Sequence, residues 1–252
     1  MSAVVASIGC SDPWNAAGVG LDIRALAACG VRPVTVVAGV TAQDARGVHA
    51  VQAVTPEVLA AQFAALAGAG VSVYRIGALL DAATVRVVAD HVRSSRVPAI
   101  YDPVFGPTGG GSFVDGEVVA EIARALLPHV ALVTPNLLEA ARLTGGAEAQ
   151  TVAGMERAAQ VLFARGAAAA LVKGGHLQSG ATDVLVDGLG TVRYDGPRLA
   201  GDLRGSGCLL ACGIAAGLAN GSSLRDAIAE GRAFVRDRFA NAVEFGGMRV
   251  AF

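Results

Sequence analysis

Eight short apolar runs rich in Val, Ile and Ala alternate with segments of helical periodicity, and this alternation constrains the fold more than any other feature. The strand candidates are 3–9, 33–39, 73–79, 98–104, 131–136, 169–175, 183–188 and 191–196. The helix candidates are 18–29, 56–69, 82–93, 116–126, 137–144, 152–165, 207–219 and 223–242. The runs lack strict polar alternation, which is the pattern of parallel strands buried on both faces. Strand–helix alternation then predicts right-handed βαβ units in an α/β fold, a doubly wound and mainly parallel central sheet with helices on both faces. Asp187–Gly188, between the last two runs, predicts a short antiparallel hairpin at one sheet edge. Hydrophobic residues make up 53% of the chain, enough for a core on both faces, and no linker or repeat interrupts it, so residues 1–252 are expected to form one domain.

Charge and cysteine usage narrow the partners. The formal net charge is −1 and the basic residues are scattered, so neither nucleic acid nor a membrane surface is expected as a partner. No apolar segment reaches the roughly 18 residues of a membrane span, and the N-terminus lacks the basic flank of a signal peptide. Cys10, Cys29, Cys208 and Cys212 share no metal-type spacing and are too few for a disulfide framework, which predicts reduced thiols in a cytoplasmic protein.

In such sheets ligands sit at the carboxyl ends of the strands. Ser11 and Asp12 follow the first strand, Gln43 the second, Asp102 lies in the fourth, and Asn136 and Glu139 follow the fifth. Each alone reads equally as a helix cap or a solvated charge; the topology would gather them at one edge. The run "RGSGCLL" (204–210) lets backbone amides at a helix start approach a phosphate, although the same glycines serve a tight turn into a packed helix. "PTGGGS" (107–112) reads as a mobile loop.

Seven segments occur in order: "IGCSDPWNAAGVGLDIRAL" (8–26), "VTAQDARGV" (40–48), "IGAL" (76–79), "YDPVFGPTGGG" (101–111), "TPNLLEAARLTG" (134–145), "LVKGGH" (171–176) and "GSGC" (205–208). Together they resemble the ribokinase-like superfamily, and within it the hydroxymethylpyrimidine/phosphomethylpyrimidine kinases of thiamine biosynthesis, whose near neighbours are the pyridoxal kinases. The resemblance implies a ribokinase-like fold, a homodimer, and phosphorylation of 4-amino-5-hydroxymethyl-2-methylpyrimidine and its monophosphate by ATP with Mg²⁺. It further implies that Gly9, Asp22, Gln43 and Ala78 bind the small-molecule substrate. Asp102, Thr134, Asn136 and Lys173 (the only lysine) would surround the nucleotide phosphates, and Glu139 would organise the metal; Arg204, which the resemblance does not supply, is expected on its charge to clamp phosphate there or else to be a surface arginine. Gly205, Ser206 and Gly207 would offer amides to the transferring phosphoryl group. Cys208 stands where most of the superfamily has an aspartate base, and a helix start would lower its thiol pKa toward a thiolate.

Several positions depart from the resemblance: Trp14 to Ala17 in the opening motif, Ala78 where methionine is common, Leu203–Arg204 before the turn, Leu209 after it, and the tail beyond Phe239. They keep two other readings open. One is a pyridoxal or pyridoxine kinase, the other a non-catalytic pyrimidine-binding protein on the kinase scaffold.

Overall fold

The computed structural model describes residues 2–106, 112–175, 177 and 180–252. The first half contains β1 (Val4–Ser11), α1 (Gly18–Ala28), β2 (Arg32–Asp44), β3 (Gly47–Ala53), α2 (Pro56–Ala65), β4 (Val71–Ile76), α3 (Ala82–Ser95), β5 (Ala99–Tyr101) and α4 (Gly116–Glu121). The second contains β6 (Leu132–Val133), α5 (Leu137–Thr144), α6 (Val152–Ala164), β7 (Ala169–Val172), β8 (Asp183–Asp187), β9 (Gly190–Tyr194), α7 (Ser206–Ala219), α8 (Leu224–Ala240), β10 (Val243–Phe245) and β11 (Met248–Val250).

Nine strands form one sheet in the order β3-β2-β1-β4-β5-β6-β7-β8-β9. The six central strands pair in parallel, and β3, β8 and β9 are antiparallel. The doubly wound, mainly parallel sheet and the edge hairpin β8–β9 match the sequence expectation. The opposite edge carries an antiparallel strand that the expectation lacks. β2 runs on to Asp44 and turns back through β3, so Gln43 lies inside β2 rather than after it.

Side chains alternate along the central strands between two apolar layers. Ala6, Ile8, Tyr74, Ile76, Tyr101, Val133 and Val172 face α2 to α6. Val5, Val73, Ile100, Leu132 and Leu171 face α1, α7 and α8. In that second layer α7 and α8 touch backbone to backbone: a Cβ on Gly213 would stand 2.7 Å from Gly231 Cα.

Six helices open on a capping side chain, from Thr55, Asp81, Asp115, Asn136, Thr151 and Ser223. The two without one are α1, after Ala17, and α7, after Gly205 in the left-handed region at φ 76°. Both begin at the same end of the sheet's second layer, and there the first-turn amides are left for other acceptors.

Candidate active site

The row of residues facing α1 and α7 changes character at the carboxyl ends of the strands. Two positions beyond Val5, Val73, Ile100, Leu132 and Leu171 in that row stand Ser7, Arg75, Asp102, Thr134 and Lys173. The period of two that builds the apolar layer therefore also delivers five polar side chains to one face.

These side chains form a chain of buried contacts. Arg75 is 1% exposed and holds Asp22 through Nη1 and Asp102 through Nη2, each at 3.0 Å. Asp22 also accepts from Ser7 Oγ at 2.6 Å and from Cys212 Sγ at 3.3 Å. Asp102 accepts from Lys173 Nζ at 2.7 Å and from Thr134 Oγ1 at 3.2 Å. Desolvation raises Asp22, and the Arg75 charge and the Ser7 hydroxyl pull only partly against it. Burial acts upward on Asp102 as well, but Lys173 and Arg75 outweigh it and hold that carboxyl below its ordinary range.

This geometry bears on two of the expected roles. Asp22 is fully buried, and its oxygens accept from Arg75, Ser7 and Cys212. Cys208 does not favour the thiolate: burial pushes its thiol up to about 11, against the pull of the Arg75 guanidinium and a hydrogen bond from the Gly18 amide.

Asn136 and Glu139 form a capping box at the start of α5. The Asn136 side chain accepts from the Glu139 amide at 2.9 Å, and Glu139 Oε2 accepts from the Asn136 amide at 2.7 Å. Glu139 lies within the field of Lys173 and Asp102, and burial pushes its carboxyl up to about 7 although Lys173 pulls it down.

The start of α7 closes the site. A Cβ on Gly207 would stand 3.2 Å from Lys173 Nζ and 3.6 Å from both Asp102 oxygens, so the bare backbone lies directly against the ion pair. The Ser206 amide donates to Leu203 O at 3.2 Å, whereas the amides of Gly205, Gly207 and Cys208 have no backbone or side-chain oxygen partner among the described residues. Ser206 is thus a weaker amide donor to a ligand than expected. Gly205 meets the α1 side of the site: its added Cβ would collide with Leu21 and lie 2.5 Å from Ala16 O.

The remaining residues are more dispersed. Gly9 faces Gly77 and Ala78 across the β1–β4 boundary, with an added Cβ 3.7 Å from Gly77 Cα. The strand order reverses there, since β2 and β4 flank β1, and such a switch point opens a crevice. The half-buried Ala78 uses its carbonyl to accept from Cys10 Sγ at 3.5 Å. Gln43 is half-buried on the β2–β3 ribbon, and Arg204 is half-buried with its side chain unpaired among the described residues. Residues 107–111 and His176, part of the motifs above and of the expected mobile loop, lie outside the described residues. Arg75, Ser7 and Cys212 were not among the expected site residues. The polar position at the end of each apolar row is the signal that finds the first two.

Residues 12–251 match the family described as phosphomethylpyrimidine kinase. A hydroxymethylpyrimidine/phosphomethylpyrimidine kinase of Rhizobium meliloti is 39% identical over 238 residues, covering 93% of this chain and 90% of that protein. The fold is shared with a phosphomethylpyrimidine kinase of Clostridium difficile (TM-score 0.83, 24% identity, 93% and 98% of the two chains). It is shared also with the ADP complex of a Bacillus subtilis pyridoxal kinase (TM-score 0.92, 24% identity, 99% and 97%). At that identity the two structures speak to the ribokinase-like fold and not to the substrate. The extent of the match and the identity to the Rhizobium protein establish that the chain belongs to the phosphomethylpyrimidine kinase family.

Proposed function

We propose that this kinase transfers the γ-phosphoryl group of ATP to the hydroxymethyl group of 4-amino-5-hydroxymethyl-2-methylpyrimidine and then to the resulting monophosphate. The observation that carries the reading is the packing of the glycine-built start of α7 on the Lys173–Asp102 pair, a backbone-lined cup that sets amides beside an ammonium group. Phosphoryl transfer asks mainly for alignment and charge stabilisation, and such a cup supplies both.

In this reading the Gly205, Gly207 and Cys208 amides and the Lys173 ammonium hold the transferring group. Asp102, tied by Arg75 and Thr134, keeps Lys173 in place. Asn136 and Arg204 flank the nucleotide side. Gly9, Ala78 and Gln43 border the pyrimidine, with Asp22 acting from beneath through Ser7 and Arg75.

The residues present also fit a magnesium ion held largely by water and phosphate. Among the described residues no three His, Cys, Asp or Glu side chains group as a metal cage. Glu139 is buried with one oxygen outside its capping box and lies within the field of Asp102 and Lys173. A single carboxylate oxygen of this kind suits a cation that keeps most of its own waters. When bound, Mg²⁺ would neutralise charge on the nucleotide phosphates.

Leu203 and Leu209 are buried in the α7 layer, so those departures serve the core and give no support to a non-catalytic reading. Ala78, small and beside Gly9, keeps pyridoxal as the rival substrate. ATP consumption measured with the pyrimidine, with its monophosphate, with pyridoxal and with no acceptor decides between them. Turnover on both pyrimidines is expected. Faster turnover on pyridoxal, or none on any acceptor, would replace this reading. All four cysteines are free, in keeping with a reducing cytoplasm, and no helix among the described residues is long and apolar enough to cross a membrane. The proposed homodimer is tested by sedimentation.

The raised thiol of Cys208 gives a pH test of its role. If the thiol takes the proton of the hydroxymethyl group, turnover of the alcohol rises from pH 7 to 9 as the small thiolate fraction grows, because the thiol pKa is about 11. At pH 8, Cys208→Ala is then expected to slow the alcohol step about tenfold or more and to flatten its pH profile. The monophosphate is already ionised and needs no base, so its profile stays flat in both proteins. A wild-type alcohol profile as flat as that of the variant would show that Cys208 only packs.

A further inference from the structure

The positions that depart from the resemblance at the two ends of the chain meet in space. Trp14 meets Phe245 edge to face, with ring centroids 5.3 Å apart at 71°. It also packs on Met248, Val250 and Ala16, and an added Cβ on Gly246 would run into its ring. The antiparallel hairpin β10–β11 thus forms a seat for this one indole.

Trp14 sits in a tightly tied loop. The Asp12 carboxylate accepts the amides of Trp14 at 3.1 Å, Ala16 at 3.1 Å and Ala17 at 2.9 Å, and Asn15 adopts the left-handed region at φ 51°. The far end of that loop touches the Gly205–Cys208 turn, with Ala16 O and the Leu21 side chain both against Gly205. The same hairpin also reaches the turn from its other flank. Arg249 O accepts the Arg204 amide at 3.0 Å, and the Arg249 guanidinium donates to Ala200 O at 2.8 Å and Phe239 O at 2.7 Å.

We infer that Trp14 and the β10–β11 hairpin form a brace that fixes the Gly205–Cys208 turn from both flanks, and that Trp14 is a positioning residue for phosphoryl transfer. The kinetic part rests on the proposed kinase reaction; the mechanical part does not. A phosphate cup made of backbone amides has no side chains with which to correct its own aim. Small displacements at such a site are costly, about a hundredfold for a shift on the order of 1 Å. Bracing from two sides is therefore of direct use to the reaction.

The experiment combines amide hydrogen exchange with kinetics on the intact chain. In Trp14→Ala, exchange of the amides in segment 203–210 is expected to accelerate at least about tenfold as local opening becomes easier, while the strands β4 to β7 keep their protection. Turnover is expected to fall about tenfold or more, with pyrimidine affinity by calorimetry held within about threefold, since the amides act in the transition state. Trp14→Phe keeps an aromatic ring on Phe245 and should recover most of both. Phe245→Ala should act in the same direction, and the double variant should be no worse than the worse single one, because both remove one contact. If Trp14→Ala does not fold, Phe245→Ala decides alone. Unchanged exchange at 203–210 would overturn the brace whatever the substrate proves to be. Normal turnover despite accelerated exchange, or losses that multiply in the double variant, would overturn the positioning role.

Discussion

Arg75→Met is expected to cost the protein about 3–5 kcal/mol of stability, read as the shift in its chemical denaturation midpoint. The guanidinium is the one group that joins Asp22 on α1 to Asp102 after β5, and both carboxylates are buried. Methionine fills a similar volume and leaves two carboxylates with less than their charge balance. Lysine at the same position can satisfy one of them and should recover part of the loss. Asp22→Asn combined with Arg75→Met should also recover part, since it removes one stranded charge. The pH dependence has a definite sign. Desolvation already raises Asp22 above its ordinary value in the folded chain, so the folded state binds more protons there and stability falls as pH rises through that range. Without Arg75 the effect grows, so the variant should be relatively less impaired in acid. A small and pH-independent loss would mean that the bridge contributes little. Within Arg75, Nε is the one buried side-chain nitrogen or oxygen without a hydrogen-bond partner among the described residues.

Glu139→Gln is expected to lower turnover about a hundredfold or more while making the resting protein more stable at alkaline pH. The amide keeps the shape and an oxygen for the Asn136 amide, so the start of α5 stays capped. The wild-type carboxyl titrates near 7 in the folded chain, largely because of burial, against an ordinary value of 4.5. A raised acid pKa means that stability is lost as pH climbs from about 4.5 to about 7, and the penalty is complete above that window. At roughly 1.4 kcal/mol per pKa unit the penalty reaches at most about 3.5 kcal/mol. Denaturation at pH 5 and pH 8 in the absence of metal reads it directly: wild type and variant should agree at pH 5, and the variant should lead at pH 8. Added Mg²⁺ with nucleotide should stabilise wild type more than the variant. Equal stability at both pH values would show that the carboxyl is not held at a cost, and unchanged turnover would remove Glu139 from the metal's neighbourhood.

The sheet and its helices were legible because the apolar rows are long and the helix starts carry punctuation. All eight predicted helices are present; the helix expected over 56–69 stops at Ala65, and within 116–126 Ile122–Leu126 widens into a π turn. β3 was missed because "GVHAVQA" alternates too weakly and lies on the exposed ribbon, where little burial selects apolar side chains. β10 and β11 span three residues each, too few to show a period, although Gly246–Gly247 between them is a hairpin signal. The site was legible in its local motifs, "GSGC" and "TPNLLE". What no local pattern shows is who pairs with whom. Asp22 reads as a carboxylate free to meet a substrate until Arg75, 53 positions later, is placed against it. The Cys208 thiol reads as an activated base only while the apolar surroundings that desolvate it are out of view.

The glycine crossing of α7 and α8 has a mechanical consequence. With Gly213 against Gly231 backbone to backbone, and Ile214, Ala227 and Glu230 packed close on the neighbouring glycines, the two helices are geared together with no free space between them. Such a joint resists sliding and rolling, because either motion would drive backbone into backbone. The Gly205–Cys208 turn at the head of α7 is consequently mounted on the stiffest joint in this layer. On the proposed reading, any adjustment to an incoming nucleotide falls to the groups around that turn rather than to the turn itself.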